Sequence, residues 1–187
     1  MIKRVILLFV LFQIVSIALQ SCGCEDKGKI IGIGSSQLHS LDETLDNLNE
    51  ESGYYEISKA FKWILYAETE SYAANSFALN EAYSTSPCEI ETWLNEFNNR
   101  FAKLYFSDGF VFQNDSIEPR AKINSFVSSA VYQEDGWSNA SIEFDFDSLF
   151  MSQAQFDTNL VYTLYFEGLT SDSIPLEDSI KISFDLD

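Results

Sequence analysis

The chain has 187 residues, with 29 Asp or Glu against 11 Lys or Arg, which gives a formal net charge of −18. This length suits one domain with a substantial core. The negative charge argues against a nucleic-acid partner, because phosphate binding relies on Lys and Arg, and against adsorption to anionic lipid head groups. Sixteen Phe, nine Tyr and three Trp argue against a disordered chain.

The amino-terminal segment has the three parts of a secretory signal peptide. Lys3 and Arg4 precede an apolar run from Val5 to Leu19, and Gln20-Ser21 follows it. The run is shorter than the roughly 20 apolar residues that a membrane-spanning helix needs. We therefore expect residues 1–21 to be an export signal and not part of the folded domain.

The end of this run, Leu19-Gln20-Ser21-Cys22, resembles the lipobox of bacterial lipoproteins. The resemblance implies that Cys22 is the lipidated first residue of the mature chain. Acyl chains gain about 0.8 kcal/mol per buried CH₂, so a multiply acylated cysteine would anchor the domain to a membrane. Residues 22–27 are also similar to the start of small outer-membrane or cell-surface lipoproteins of the Bacteroidota. That resemblance implies a lipid anchor in the outer membrane of the cell envelope, facing the periplasm or the cell surface, and implies no activity.

Two further cysteines, Cys24 and Cys88, leave two interpretations open. An exported chain lies where disulfides persist, so the two could be bonded. Nothing in the sequence brings them together, so two free thiols are the alternative. A zinc site would need more ligands than these cysteines and His39, the only histidine, supply. We predict no metal and no cofactor.

The segment after the anchor is predicted to be a tether over residues 22–36, followed by one domain over residues 37–187. Residues 29–34 form a possible short edge strand, which their glycines weaken. Ser40-Leu41-Asp42-Glu43 has the form of a capping box, and leucines follow at helical spacing. This pattern predicts a short helix over residues 41–50.

The middle of the chain is predicted to contain two strands and a helix. Aromatic and β-branched residues over 61–70 predict a strand, with 77–83 as its partner. Ser86-Pro87-Cys88-Glu89 is typical of a helix start, and apolar residues follow at helical spacing up to Phe101. We therefore expect a helix over residues 87–99. Further strands are predicted over 100–106 and 110–112, joined by the turn Ser107-Asp108-Gly109.

The last third of the chain reads as β almost throughout. Strands are predicted over residues 123–132, 141–146, 159–166 and 179–186, separated by turn-rich breaks. This spacing predicts a mainly β fold, an antiparallel β-sandwich of immunoglobulin-like or transthyretin-like type, with one or two short helices. The strand over 141–146 should bury one face and expose an acidic face to water.

That acidic face is the first candidate for chemistry, with Glu143, Asp145 and Asp147 on it. Same-face residues on a strand stand about 6.8 Å apart, which is too wide for one cation without other ligands. We expect a solvated face. His39 lies beside the predicted helix start with no nucleophile motif nearby, so we expect a capping or surface role for it.

Four tripeptides share the form Asp-Ser-aliphatic, and their serines are Ser116, Ser148, Ser173 and Ser179. Each resembles the sequence that Bacteroidota O-glycosylate on exported proteins. Because Asp and Ser also favour turns, local turn chemistry is the alternative. Trp137, which follows a turn glycine, is a candidate contact for a sugar or a peptide.

No catalytic constellation is present in the sequence. We therefore expect a lipid-anchored, non-enzymatic binding or structural module whose partner is an envelope protein or a glycan. The alternative is a hydrolase of glycans or peptides with acidic catalytic residues. Carboxylates gathered in a concave pocket would favour the enzyme, and acids spread over open faces would favour the binding module.

Overall fold

The computed structural model describes residues 26–41, 50–51, 53–73, 90–133 and 139–185. These ranges contain thirteen strands and one helix. The strands are β1 (Asp26–Ser40), β2 (Glu50–Glu51), β3 (Tyr54–Ile57), β4 (Phe61–Ala73), β5 (Ile90–Trp93), β6 (Phe97–Phe106), β7 (Phe110–Phe112), β8 (Asp115–Ile117), β9 (Ser128–Tyr132), β10 (Ser141–Phe146), β11 (Ala154–Gln155), β12 (Val161–Thr170) and β13 (Pro175–Phe184). The helix is α1 (Ser148–Gln153).

The strands form two five-stranded sheets and one small sheet. The first sheet has the order β5-β1-β4-β10-β9, and the second has the order β2-β3-β13-β12-β6. The small sheet has the order β11-β7-β8. Neighbours are antiparallel except for β1 with β5 and β13 with β3. The two larger sheets supply the two layers of a sandwich.

The core between the layers consists mainly of aromatic rings. Alternation along β10 buries Ile142, Phe144 and Phe146, and β12 and β13 bury alternate residues in the same way. Phe144 lies 5.6 Å from Phe166 of the opposite sheet, measured between ring centroids. Phe156 and Phe184 stack with centroids 3.7 Å apart. One continuous apolar cluster therefore joins both sheets.

The predicted mainly β sandwich with a short helix is confirmed. The strands predicted over 61–70, 110–112 and 141–146 are present as β4, β7 and β10. The last two predicted strands are present with shifted ends, as β12 and β13, and Pro175 begins β13 instead of lying in the break before it. A proline fits the first position of a strand because no ladder hydrogen bond is lost there.

The predicted tether was wrong where the structure describes it. Asp26–Ser40 is one strand that pairs with β4 along its length, so residues 26–36 are not a tether. The predicted strand over residues 29–34 is present as part of this longer strand, and β5 pairs with only its first three residues, Asp26 to Gly28. The glycines that weakened the prediction coincide with irregularities. The register of β1 against β4 shifts between Ile30 and Gly32 and again between Ile33 and Ser35. Glycine tolerates such bulges at low cost.

The predicted helix over 87–99 was also wrong wherever the structure describes it. Residues 90–93 form β5, and β6 begins at Phe97. Two short strands joined by a three-residue turn place apolar residues at intervals that imitate a helical period. Trp93 and Phe97 are half-buried, whereas Leu94 and Phe101 are 52% and 59% exposed. The apolar residues therefore do not share one buried face.

Other boundaries differ where the chain turns. The strand predicted over 123–132 begins only at Ser128, because Ile123 donates its backbone N–H to Leu104 outside any ladder and residues 124–126 form a turn. The break after β10 holds α1, whose first turn is capped by the Asp147 side chain accepting from the Phe150 N–H at 2.7 Å. Residues 42–49 of the predicted first helix and the predicted strand over 77–83 lie outside the described residues; Glu50 belongs to β2.

The turn between β5 and β6 is held by the buried side chain of Asn95, which is 2% exposed. Its Oδ1 accepts from the Ile30 N–H at 2.8 Å, and its Nδ2 donates to the Ile30 carbonyl at 2.9 Å. The amide group therefore imitates a neighbouring strand beside β1. Nδ2 also donates to Asp172 Oδ1 at 2.9 Å.

Asp172 gathers further partners from the turn between β12 and β13. The Thr170 hydroxyl donates to Oδ1 at 2.5 Å, and Lys29 Nζ lies 3.1 Å from Oδ2. The hydrogen bonds from Thr170 and Asn95, with the charge of Lys29, lower the pKa of Asp172 to about 2. The carboxylate thus links β1, the β5–β6 turn and the β12–β13 turn.

We expect this link to contribute stability that depends on pH. Because the folded pKa lies below the unfolded value of about 3.9, the contribution is complete above the unfolded pKa and is lost as the pH falls through about 2. The urea midpoint of Asp172→Asn should therefore lie below that of the native chain at pH 6, and the gap should narrow between about pH 4 and pH 2. Asp185→Asn, an exposed aspartate after β13, is the control. A gap that stays constant across this range would contradict the assignment.

Candidate functional site

A groove lies on the outer face of the first sheet, centred on Ser141. In the register of this sheet, Ser141 of β10 stands opposite Tyr66 of β4 on one side and Tyr132 of β9 on the other. Directly opposed residues share a face, and the next residue, Ile142, is buried, so all three side chains point away from the core. A small residue between two tyrosines leaves a trough with aromatic walls.

The groove runs along β10 and has a volume of about 450 Å³. Such a volume is within the range of small-molecule sites, which combine apolar walls with a few polar groups. Tyr132 is 40% exposed, and Tyr66 is half-buried. The groove is lined by Lys62, Tyr66, Tyr132, Asn139, Ser141 and Glu143.

One end of the groove is charged. Lys62 Nζ lies 2.6 Å from Glu143 Oε2 and 3.4 Å from Asp145 Oδ1. The hydrogen bond to Glu143 raises the pKa of Lys62, against the opposing effect of partial burial, and Asp145 adds to the increase. The ammonium is therefore charged at neutral pH. With two carboxylates and one ammonium, the three groups carry one net negative charge.

This arrangement corrects the expected solvated acidic face. The side chain of Glu143 is only 16% exposed and is paired with Lys62. Asp145 is 36% exposed, and its Oδ1 is buried without a hydrogen-bond partner in the described part of the chain. Asp147 does not continue the row, because it caps α1. Two acids of the predicted face therefore belong to the site.

His39 lies in β1, opposite Lys62 in the register with β4. Its two ring nitrogens are buried and have no hydrogen-bond partner in the ranges that the structure covers. The expected solvent-facing surface role therefore does not describe its ring. Buried polar atoms of this kind are uncommon in native structures.

A second cluster lies on the outer face of the other sheet. Tyr105 and Tyr165 stack with ring centroids 5.1 Å apart, and Lys103 Nζ lies 4.2 Å from the centroid of Tyr105. The Tyr105 hydroxyl donates to Glu167. Burial, followed by this hydrogen bond, raises the pKa of Tyr105. In this cluster the two rings stack on each other, Lys103 lies over one of them, and the Tyr105 hydroxyl is bonded to Glu167. Because these groups contact one another, the groove at Ser141 is the stronger candidate for a ligand.

The four Asp-Ser-aliphatic serines lie on four different elements, and each is exposed. Ser116 is in β8, Ser148 begins α1, Ser173 has a left-handed backbone with a φ of 68° in the β12–β13 turn, and Ser179 is in β13. Two of the preceding aspartates have structural roles of their own, since one caps α1 and the other accepts from Thr170 and Asn95. Turn and cap chemistry therefore accounts for part of the pattern.

The remaining predicted site residues, Cys22, Cys24, Cys88 and Trp137, lie outside the described residues. In the part of the chain that is described, no group of three or more His, Cys, Asp or Glu could hold a metal ion. Within the same ranges, no helix is both long and apolar enough to cross a membrane.

Comparison with known proteins adds no assignment. The chain matches no protein-family model and none of the curated proteins searched.

Sequence reasoning did not single out Lys62, Tyr66 or Tyr132, and it assigned no ligand-binding role to Asn139 or Ser141. These residues come from three strands and one loop, and only the register brings them together. The available signal was indirect. Trp137, the predicted contact for a ligand, stands two positions before Asn139 in the sequence but lies outside the described residues.

Proposed function

We propose that this chain is a lipid-anchored domain of the cell envelope that binds another envelope component in the groove of Tyr66, Ser141 and Tyr132. The observation that carries the proposal is the groove itself. Aromatic walls offer large contact area at low entropic cost, and Asn139, Ser141 and Glu143 supply polar groups that fix orientation. The leader and Cys22 support the location, because a lipid would hold the domain at a membrane surface.

The binding role is tested by filling the groove. We expect Ser141→Trp to reduce capture of the envelope component by the anchored full-length chain at least about tenfold, equivalent to about 1.4 kcal/mol, because an indole would occupy the trough. Ser183→Trp is the matched control. Ser183 is also half-buried and lines a groove of about 330 Å³ on the other sheet, where it lies in the central strand β13 between β3 and β12.

Capture would be measured by chemical cross-linking in native envelopes and mass spectrometry of the cross-linked species. Both variants should keep the urea midpoint of the native chain to within the error of the measurement. An equal effect of the two tryptophans on capture, or no effect of either, would contradict a binding role for this groove.

The anchor is tested separately by detergent phase partitioning. We expect the native chain in the detergent phase and the Cys22→Ser chain, once its leader has been cleaved, in the aqueous phase, because the acyl chains on Cys22 would supply the membrane affinity of the mature chain. Cys24→Ser is the control and should partition as the native chain does. Intact-mass measurement of the native chain should show the acyl chains, and additional mass at the four Asp-Ser-aliphatic sites would indicate O-glycosylation. A native chain that stays in the aqueous phase would refute the anchor.

A further inference from the structure

The four edges of the two larger sheets differ in how they are protected against pairing with another strand. Exposed edges normally carry charges, bulges or a covering segment, since their unpaired backbone groups invite association. In the second sheet, β2 consists of two glutamates. In the first sheet, β5 contains Glu91, and its register with β1 is irregular. Because β5 pairs with only Asp26 to Gly28, β1 forms the rest of this edge, and its register against β4 shifts twice.

The third edge strand, β6, is protected in two ways. Its pairing with β12 is interrupted between Asn98 and Lys103 by a bulge opposite Gly168. Its last residues are covered by the segment after β8. Ile123 donates its backbone N–H to the Leu104 carbonyl at 2.8 Å, and the Asn124 side chain accepts from the Leu104 N–H at 2.9 Å.

Among the residues that the structure describes, none of these features protects the edge strand β9. Its sequence, Ser128-Ser129-Ala130-Val131-Tyr132, contains no charge, proline or glycine. It pairs with β10 over five consecutive positions without a register shift. Ser128, Ser129, Val131 and Tyr132 are exposed. A regular, uncharged and exposed edge is the kind of edge to which an extended segment can add.

The direction of the backbone groups in β9 follows from the ladder beside it. The Ala67 N–H donates to the Ala140 carbonyl at 2.8 Å, so even-numbered residues of β10 turn their backbone groups toward β4. Odd-numbered residues of β10 therefore face β9, and the groups of Ser129 and Val131 face away from the sheet. Within the described ranges, no backbone hydrogen bond to either residue is present.

The charges near this edge indicate what kind of segment would fit. Ala130 stands opposite Glu143, and Ser128 stands opposite Asp145, so two small side chains separate the edge from two carboxylates. An added strand would lie two strand spacings, about 9–10 Å, from β10. A Lys or Arg side chain can extend across Ala130 or Ser128 toward those carboxylates.

The carboxylates can accept such a cation because one ammonium is shared between the two of them. Lys62 Nζ lies 2.6 Å from Glu143 Oε2 and 3.4 Å from Asp145 Oδ1, so the three groups keep one net negative charge. The whole chain, with a net charge of −18, would also attract a basic segment and repel an acidic one.

We propose that β9 is the docking edge for an extended, basic segment of a partner protein, which adds as a sixth strand and directs Lys or Arg toward Glu143 and Asp145. The inference rests on the proposed function, because the segment would border the groove and contact Tyr132. It assigns the ligand of the site to the class of extended peptides.

The test uses the full-length chain in detergent and a synthetic peptide of alternating Thr and Lys, with the Thr-Glu peptide as its counterpart. We expect the Thr-Lys peptide to bind, measured by fluorescence anisotropy, and the Thr-Glu peptide not to bind. Bound peptide should slow hydrogen exchange of the Ser129 and Val131 amides at least about tenfold, because these N–H groups acquire partners. The Ala130 amide, already bonded to β10, should change little.

Val131→Pro removes one outward N–H and should weaken peptide binding at least about tenfold, whereas Val131→Ala keeps that N–H and should bind within about threefold of the native chain. Hydrogen exchange on the native chain keeps the test valid should Val131→Pro unfold. Failure of the Thr-Lys peptide to bind, or binding without slower exchange at Ser129 and Val131, would overturn the inference.

The failure of this inference can be told apart from failure of the proposed function. Suppose that a neutral oligosaccharide binds the native chain and Val131→Pro but does not bind Ser141→Trp. This result would support binding in the groove and would overturn the docking edge. Peptide binding that responds to Val131→Pro and not to Ser141→Trp would support the edge and remove the groove from the function.

Discussion

Replacing Phe106 with Ala is expected to lower the free energy of unfolding by about 3–5 kcal/mol. The ring is 1% exposed, and its centroid lies 5.3 to 6.2 Å from those of five other rings. These rings are Phe110, Phe146, Phe156, Tyr162 and Phe184. Deletion would leave a cavity at the point where both larger sheets and the small sheet meet, and rigid rings collapse into such a space only in part.

The measurement is urea unfolding followed by tryptophan fluorescence. Phe101→Ala is the matched control, since Phe101 lies in the same strand but is 59% exposed, and its effect should stay within about 0.5 kcal/mol. The free energy of unfolding of native domains is about 5–15 kcal/mol in total, so the Phe106 variant should lose a large fraction of its stability. Similar urea midpoints for the two variants would mean that the aromatic cluster around Phe106 does not contribute the expected stability to the core.

The strands that sequence analysis predicted correctly are those in which a buried face alternates with a wetter one. In β10 the buried residues Ile142, Phe144 and Phe146 alternate with polar ones. This alternation in the sequence matches the burial in the structure because a sandwich buries one side of each strand. The period fails as a guide where two short strands meet at a turn. There the separation of Trp93 and Phe97 imitates a helix, although a turn held by Asn95 lies between them.

The candidate site was beyond sequence reasoning for a different reason. The alternating pattern tells which residues share a face of one strand, but not which residues of two strands stand opposite each other. Tyr66 and Ser141 are 75 positions apart in the numbering and meet only because β10 pairs with β4 in one register. The same register places Lys62 opposite Asp145 and diagonal to Glu143, so both acids, which look solvated in the sequence, contact Lys62 in the structure.

Replacing Asn95 with Ala is expected to lower the free energy of unfolding by about 2–6 kcal/mol. The main cause is not the lost volume of the side chain but the loss of hydrogen bonds by the groups that the Asn95 amide binds. The N–H and C=O of Ile30, a residue with 0% exposure, would both lose their hydrogen bonds, and each buried unsatisfied group costs about 1–3 kcal/mol. Asp172 would lose one of its donors as well.

Asn95→Asp separates hydrogen bonding from packing, because aspartate has nearly the same shape as asparagine. Its carboxylate can accept from the Ile30 N–H but cannot donate to the Ile30 carbonyl or to Asp172, and it adds a negative charge beside that carboxylate. We therefore expect Asn95→Asp to be destabilised at neutral pH, as Asn95→Ala is, in urea unfolding. Asn159→Ala, at an exposed turn before β12, should change the unfolding free energy by no more than about 0.5 kcal/mol. An Asp variant as stable as the native chain would show that the shape of the side chain, and not its paired amide, holds the turn against β1.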